Sequence, residues 1–316
     1  MMKRALVTGG AGFIGSTVAD HYLAEGYEVT VIDDLSTGVR DNVPANAEFV
    51  QCDIGSPEAR ELLESGRFEV LNHHAAQIDV RVSVSDPQLD ARINVVGLLN
   101  LLEGARVGGT QRVLLASSGG VVYGESNDLP HTEEAAKLPV SPYGVAKLTS
   151  EFYLAAYAQL YGMKVVSLRY ANVYGPRQNP HGEAGVVAIF CNRIRSGGTI
   201  TIFGDGSQTR DYVHVHDVAR ANMAATKWEA PAISTIDSVA VNVGTATETA
   251  VTELAQKLIE VTGSAVSIEH QPARPGELQR SAVAIDRARR DLGWEPTYAL
   301  DQGLLNTYEW ITENAG

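Results

Sequence analysis

The chain predicts an α/β protein: a Rossmann-like, doubly wound parallel sheet followed by a smaller C-terminal α/β lobe. Three observations carry that expectation. Short apolar runs alternate with helical stretches through the first half. A glycine-rich turn follows the first of those runs. After Tyr170 the texture changes, with denser Gly and Pro and shorter apolar runs.

Taken in order, Ala5-Leu6-Val7 is the first strand, and a helix opens near Gly12. Residues 27–32, 48–50, 70–72 and 112–116 read as further buried strands, with helices starting near Ser56, Pro87 and Ser141. Residues 164–169 add another strand. Residues 1–170 are therefore expected to form one Rossmann domain. Beyond it, Gly175-Pro176, Pro180, Gly197-Gly198, Gly204 and Gly206 break the chain into short elements. Residues 171–316 are read as a smaller, discontinuous lobe. A helix over 216–228 is expected to return to the first domain, which also receives about 214–243.

Composition bounds the class. A chain of 316 residues has length for one large domain or two moderate ones. No apolar run approaches the ~20 residues that a bilayer-spanning helix needs. Met1-Met2-Lys3-Arg4 leads straight into strand residues, without a signal-peptide pattern. Cys52 and Cys191 form neither a disulfide framework nor a thiolate metal site, so a cytoplasmic setting is expected. The net charge of −13 argues against nucleic-acid binding, which draws on basic contacts to phosphate. His73, His74, His214 and His216 lack a third ligand at suitable spacing, the last two being read as strand neighbours. His181 lies in a Pro-Gly loop, and no metal is expected at any of them.

Gly10-x-Gly12-x-x-Gly15 follows a strand and opens a helix, the context a dinucleotide fingerprint requires. The glycines can equally be grouped as Gly9, Gly12 and Gly15. Either way the backbone can approach a pyrophosphate at a helix N-terminus. Asp33 ends the second strand about 20 residues on, where a carboxylate binds an adenosine ribose diol. Its charge would repel a 2′-phosphate, so NAD is expected over NADP; capping the next turn is the other reading. Asp53, after the third strand, either accepts from the adenine amine or caps the helix near Ser56.

Tyr143 and Lys147 stand four residues apart in a helix, so they share a face. A phenol of pKa ~10 is a poor base at neutral pH. A neighbouring ammonium and a cationic nicotinamide would favour the phenolate. That pair, after the fifth strand of a Rossmann-like half, points to hydride chemistry.

The sequence resembles the extended short-chain dehydrogenase/reductase family, and within it the UDP-glucose 4-epimerases. The resemblance spans nearly the whole chain. Its markers are the Thr8–Gly15 loop, Asn72-His73-His74-Ala75-Ala76, Ser117-Ser118-Gly119-Gly120-Val121-Val122-Tyr123-Gly124, Tyr143 with Lys147, Arg169-Tyr170-Ala171-Asn172-Val173-Tyr174-Gly175-Pro176, Arg210-Asp211-Tyr212-Val213-His214 and Arg274-Pro275-Gly276-Glu277. It implies NAD held by Gly9, Gly12, Phe13, Ile14, Gly15, Asp33, Asp53, Ile54, His74, Ala75, Ala76, Tyr143 and Lys147. It implies that Tyr143 takes the proton of a sugar 4-hydroxyl, and that the 4-keto sugar turns over before hydride returns. Asn172 is expected on the nucleotide sugar, Arg210 and Arg274 on the diphosphate, and Glu277 on the uridine ribose. A homodimer through helices near 86–107 and 141–161 is also implied.

Departures matter as much. The resemblance places a Ser or Thr four residues before Tyr123, and this chain has Gly119. Ser118 is expected to supply the hydroxyl, with Ser117 or a water as alternatives. Dehydratase and decarboxylase relatives carry an acid at 120 or 121; Gly120 and Val121 do not move protons. Ser281 falls at the position that gates the sugar pocket, where a small residue admits a 2-N-acetyl group; a surface serine in a shifted loop is the alternative. The leading expectation is a UDP-hexose 4-epimerase. A UDP-uronic acid 4-epimerase, and a non-catalytic NAD or nucleotide-sugar binding protein, stand beside it.

Overall fold

The computed structural model describes residues 3–180, 185–273 and 278–314. Its strands are β1 (Arg4–Thr8), β2 (Glu28–Asp33), β3 (Glu48–Gln51), β4 (Val70–His73), β5 (Arg112–Ser118), β6 (Lys164–Tyr170), β7 (Asn172–Tyr174), β8 (Ile200–Phe203), β9 (Thr209–Arg210), β10 (Tyr212–His214), β11 (Ala240–Val243), β12 (Thr249–Ala250) and β13 (Ile268–Gln271). Seven of them form one parallel sheet in the order β11-β6-β5-β4-β1-β2-β3. Strand order reverses between β1 and β4, so a crevice opens there at the carboxyl ends.

Side-chain alternation builds a core on each face of this sheet. Ala5 and Val7 of β1, Val166 and Leu168 of β6 and Val241 of β11 pack toward α1 (Phe13–Ala24). Leu6, Leu71, Val113 and Val165 face the opposite layer, which includes α2 (Pro57–Gly66). That layer continues through α3 (Val80–Ser85), α4 (Pro87–Ala91), α5 (Leu98–Gly108) and α6 (Pro142–Tyr161). The helix expected from Pro87 is not uniform: residues Arg92–Gly97 form a π turn between α4 and α5. The cause is Asn94. Its side chain accepts from Gln77 N and donates to Gln77 O, both at 2.9 Å, and also donates to buried Asp90 at 3.0 Å.

The remaining helices are α7 (Val186–Arg195), α8 (Val215–Lys227), α9 (Val251–Thr262), α10 (Asp286–Leu292) and α11 (Leu300–Glu313). Helix α8 packs on α1, with Val218, Ala219 and Ala221 in the same core as Val18 and Ala19. A separate apolar cluster joins α7, α9 and α11 with the parallel pair β8 and β13. Trp294 is buried in the first core, and its indole N–H donates to Asp217 O at 2.9 Å. His214 and His216 are not strand neighbours. His214 ends β10 and caps α8 by accepting from His216 N, because the helix starts one residue later.

Candidate active site

The turn after β1 is shaped by what its glycines omit. Gly9 has φ +65°, and a Cβ there would lie 2.6 Å from Ala75 N. A Cβ on Gly15 would lie 2.3 Å from Gly9 O. The turn therefore closes against both α1 and the segment after β4. Helix α1, preceded at its N-cap by Gly12, has no side-chain cap and no acid in its first turn. Its amide end is left for an anion. Thr8 ties the two segments together: its hydroxyl accepts from His74 N and Ala75 N at 3.1 Å and pairs with His73 Nδ1 at 2.8 Å. Burial pushes His74 down to about 3 and holds His73 well below its ordinary value, with Lys147 acting in the same direction, so both rings are neutral.

Asp33 stands at the end of β2. Its two carboxylate oxygens accept from Ala11 N at 3.0 Å and Leu35 N at 2.9 Å. Burial raises its pKa, partly offset by those two amides. Asp53 is exposed and accepts from Gly55 N at 2.8 Å, while the cap of α2 is Ser56. Ile54 is buried in the core beside Leu98, and Phe13 and Ile14 open α1. These features fit a dinucleotide: a side-chain-free turn, an unneutralised helix end and a fixed carboxylate at the next strand end.

Ser141 caps α6 by accepting from Gly144 N at 3.1 Å, and Pro142 takes the first helical position. This start places Tyr143 in the first turn and Lys147 one turn on. Lys147 Nζ lies 5.7 Å from the Tyr143 ring centroid and donates to Ala116 O of β5 at 3.0 Å. Lys147 is 5% exposed, and burial pulls it down to about 8, with Asp90 and Glu151 pushing it back up. The expected phenolate draws on the ammonium together with a cationic nicotinamide. In the protein alone burial, then the Asp90 carboxylate, raise the Tyr143 pKa. Burial disfavours the charged phenolate, and a nearby carboxylate does the same.

The two serines of β5 part company. Ser117 Oγ is turned inward and donates to Glu151 at 2.5 Å. Ser118 points to the other face, and its hydroxyl makes no hydrogen bond to a described residue. A Cβ on Gly120 would lie 3.7 Å from Ser118 Oγ and 3.9 Å from Asn172 Oδ1, so those two side chains flank one point. Arg210, in β9, donates to Thr209 O at 2.8 Å. Beside it Asp211 accepts from Thr245 N, Thr245 Oγ1 and Ala246 N. Ser281 is buried, at 7% exposure, next to the segment that bridges His131 through Val283. It is not a surface serine. Arg274, Glu277 and His181 lie outside the described residues.

Sequence reasoning missed the supports of this site. Asp90, Asn94 and Gln77 brace the segment after His74-Ala75-Ala76, and Arg169 with Glu151 stands behind β5. A signal was available: Arg169 is a charged residue inside a strand read as buried, and Glu151 repeats the Tyr143–Lys147 spacing.

Comparison with known proteins agrees with this arrangement. The profile of the "NAD dependent epimerase/dehydratase family" matches residues 5–244. The chain is 45% identical to the UDP-glucose 4-epimerase of Mycolicibacterium smegmatis, over 98% of both chains. A crystal structure of a Thermotoga maritima UDP-glucose 4-epimerase with UDP-glucose superimposes with TM-score 0.94 at 42% identity, covering 99% of this chain and 100% of that one. The Thermus thermophilus UDP-glucose 4-epimerase, in complex with NAD, gives TM-score 0.90 at 42% identity, covering 99% and 100%. The chain therefore belongs to the NAD-dependent epimerase/dehydratase family, within the extended short-chain dehydrogenase/reductases, and its cofactor is NAD.

Proposed function

We propose that the protein interconverts UDP-glucose and UDP-galactose by inverting C4, and accepts their 2-N-acetyl counterparts. Its family and its relatives support the coarser description, an NAD-dependent isomerase of UDP-sugars. The observation that carries the reading is the arrangement of side chains beside β5. There Tyr143 and Lys147 share a helix face, and Lys147 reaches the β5 carbonyl two residues before Ser118. Bound NAD supplies the acceptor, and then the donor, of one hydride at C4.

The chain's own groups manage the proton. Tyr143 Oη takes the proton of the sugar 4-hydroxyl and returns it to the same oxygen once the 4-keto sugar has turned. The Lys147 ammonium stabilises the phenolate; the Ser118 hydroxyl donates to the reacting oxygen. Ser118 is favoured over Ser117, whose hydroxyl is committed to Glu151. Asn172 Oδ1, beside Ser118, is suited to a hydroxyl of the sugar. Arg210 and Arg274 hold the diphosphate, and Glu277 the uridine ribose. With Gly120 and Val121 in place of an acid, nothing there drives elimination or decarboxylation. The small Ser281 leaves room for an acetamido group.

A homodimer is proposed as well. On α6, Val145, Phe152 and Leu160 are 50%, 57% and 71% exposed along one stripe, which a second copy would cover. The deciding experiment gives purified protein UDP-glucose, UDP-galactose, their N-acetyl analogues and UDP-galacturonate, without added NAD. Conversion of the neutral hexoses supports the reading; conversion of the uronate alone overturns it.

A further inference from the structure

Behind the cleft lies a buried polar network that the proton chemistry does not use. Arg169 of β6 is fully buried. Its Nε donates to both Glu151 carboxylate oxygens at 3.0 and 3.2 Å, and Nη2 donates to Glu151 Oε2 at 2.7 Å. It also donates to Tyr123 Oη at 3.0 Å, Glu133 O at 2.9 Å and Asp237 Oδ1 at 2.8 Å. Glu151 is equally buried, one helical turn past Lys147, and accepts the Ser117 hydroxyl. Tyr123 in turn donates to Asn242 Oδ1 at 2.7 Å.

Burying two ions is not a route to stability. Well-packed apolar side chains of similar volume serve as well or better. What directional, bidentate bonds add is geometry. An apolar face would hold α6 on the sheet but leave its rotation and axial slide loosely set. Bonds from Glu151 to Ser117 on β5 and to Arg169 on β6 fix both. We propose, on the epimerase reading above, that Glu151 and Arg169 are positioning residues: they lock α6 in register with β5, so that Tyr143, Lys147 and Ser118 meet in one cleft.

The charge of the pair gives a readout that simple scaffolding would not. Lys147 is faced by Tyr143 and Glu151 from α6, by Asp90 from α4, and by His73 and His74 at the end of β4. The Glu151 carboxylate favours the protonated form of Lys147. Removing that charge leaves Arg169 with Asp237 but without its bidentate partner, and drives a proton off Lys147; removing Arg169 does the reverse.

The test follows the ¹⁵Nζ resonance of labelled lysine through pH, with Lys147→Met for assignment. Glu151→Gln should move the Lys147 titration down by about one pH unit or more, and Arg169→Met should move it up. Should a single variant not fold, the double variant leaves no unpaired charge. It should fold with a near-native Lys147 titration and a kcat at least about tenfold lower, its KM for UDP-sugar changing less than about twofold. Ser117→Ala should lower kcat about threefold by loosening the same tie. A Lys147 titration indifferent to Glu151→Gln, or a double variant with native kcat, overturns the proposal. A wild-type protein that turns over no UDP-sugar removes the epimerase reading, and the lysine titration then decides this one alone.

Discussion

Gly119 illustrates how a single neighbour dictates a residue. A Cβ at this position would lie 2.7 Å from Val283 Cγ1 and 3.2 Å from Arg169 O. Val283 is fully buried, so a serine there has nowhere to go. Gly119→Ser should therefore destabilise the protein by about 1–3 kcal/mol, the usual cost of overpacking. Adding Val283→Ala should recover part of the lost Tm, measurable by calorimetry. No recovery would mean that the backbone contact to Arg169 O, and not Val283, excludes the side chain. At Tyr143 the expected outcome is chemical. Tyr143→Phe should retain NAD and UDP-sugar binding within a few-fold and lose about 10²–10⁴ in kcat. The Lys147 ammonium, brought down to about 8 by burial, sets the alkaline limb. Activity should fall as pH rises through about 8, because the folded lysine then loses the charge that supports the phenolate. A profile flat to pH 10 would rule that role out.

At the scale of elements, much was legible and the exceptions have causes. Ser141 and Pro142 mark the start of α6 in sequence, as Gly162 marks its end, because caps are local chemistry. The strands from β1 to β6 stand where the apolar runs placed them, since burial leaves an apolar signal, weakest at the half-covered edge strand β3. The π turn at Arg92–Gly97 was not legible. It exists because Asn94 clamps Gln77, a residue from another segment, and periodicity carries no trace of that bond. The Gly9 turn yields a test at this scale. Gly9→Ala should cut NAD retention about tenfold or more, because both the positive φ and the 2.6 Å approach to Ala75 N reject a methyl group. Ultrafiltration of the purified variant followed by NAD assay checks it. Phe152→Glu on the exposed stripe of α6 should yield monomer by sedimentation, with little change in Tm.

Across the whole molecule, burial of imidazoles sets an acid response. His74 is held down to about 3 and His214 to about 4, mainly by desolvation, and His73 lies well below its ordinary value. A depressed histidine binds its proton in the unfolded chain before it does in the folded one. Stability is therefore unaffected above pH ~6.5 and falls as pH drops below it. At pH 5 each fully depressed histidine subtracts up to about 2 kcal/mol. Tm should fall between pH 6.5 and 5, with the buried carboxylates Asp33 and Asp211, whose pKa values burial raises, acting in the opposite sense. A Tm unchanged across that window would mean that these rings have water access in the folded state.

The sequence by itself determined strands β1 to β6 of the sheet, the glycine-rich turn, the family and the Tyr143–Lys147 spacing. Each is written in short-range pattern: apolar periodicity, glycine spacing, or two residues one turn apart. Tertiary structure alone decided that Ser117 turns inward while Ser118 does not, that Ser281 is buried, and that burial raises the Tyr143 pKa in the protein alone. It also brought Arg169 onto Glu151 across 18 positions of chain. Desolvation and directional bonding depend on what surrounds a group in space, and those surroundings come from segments far apart in sequence.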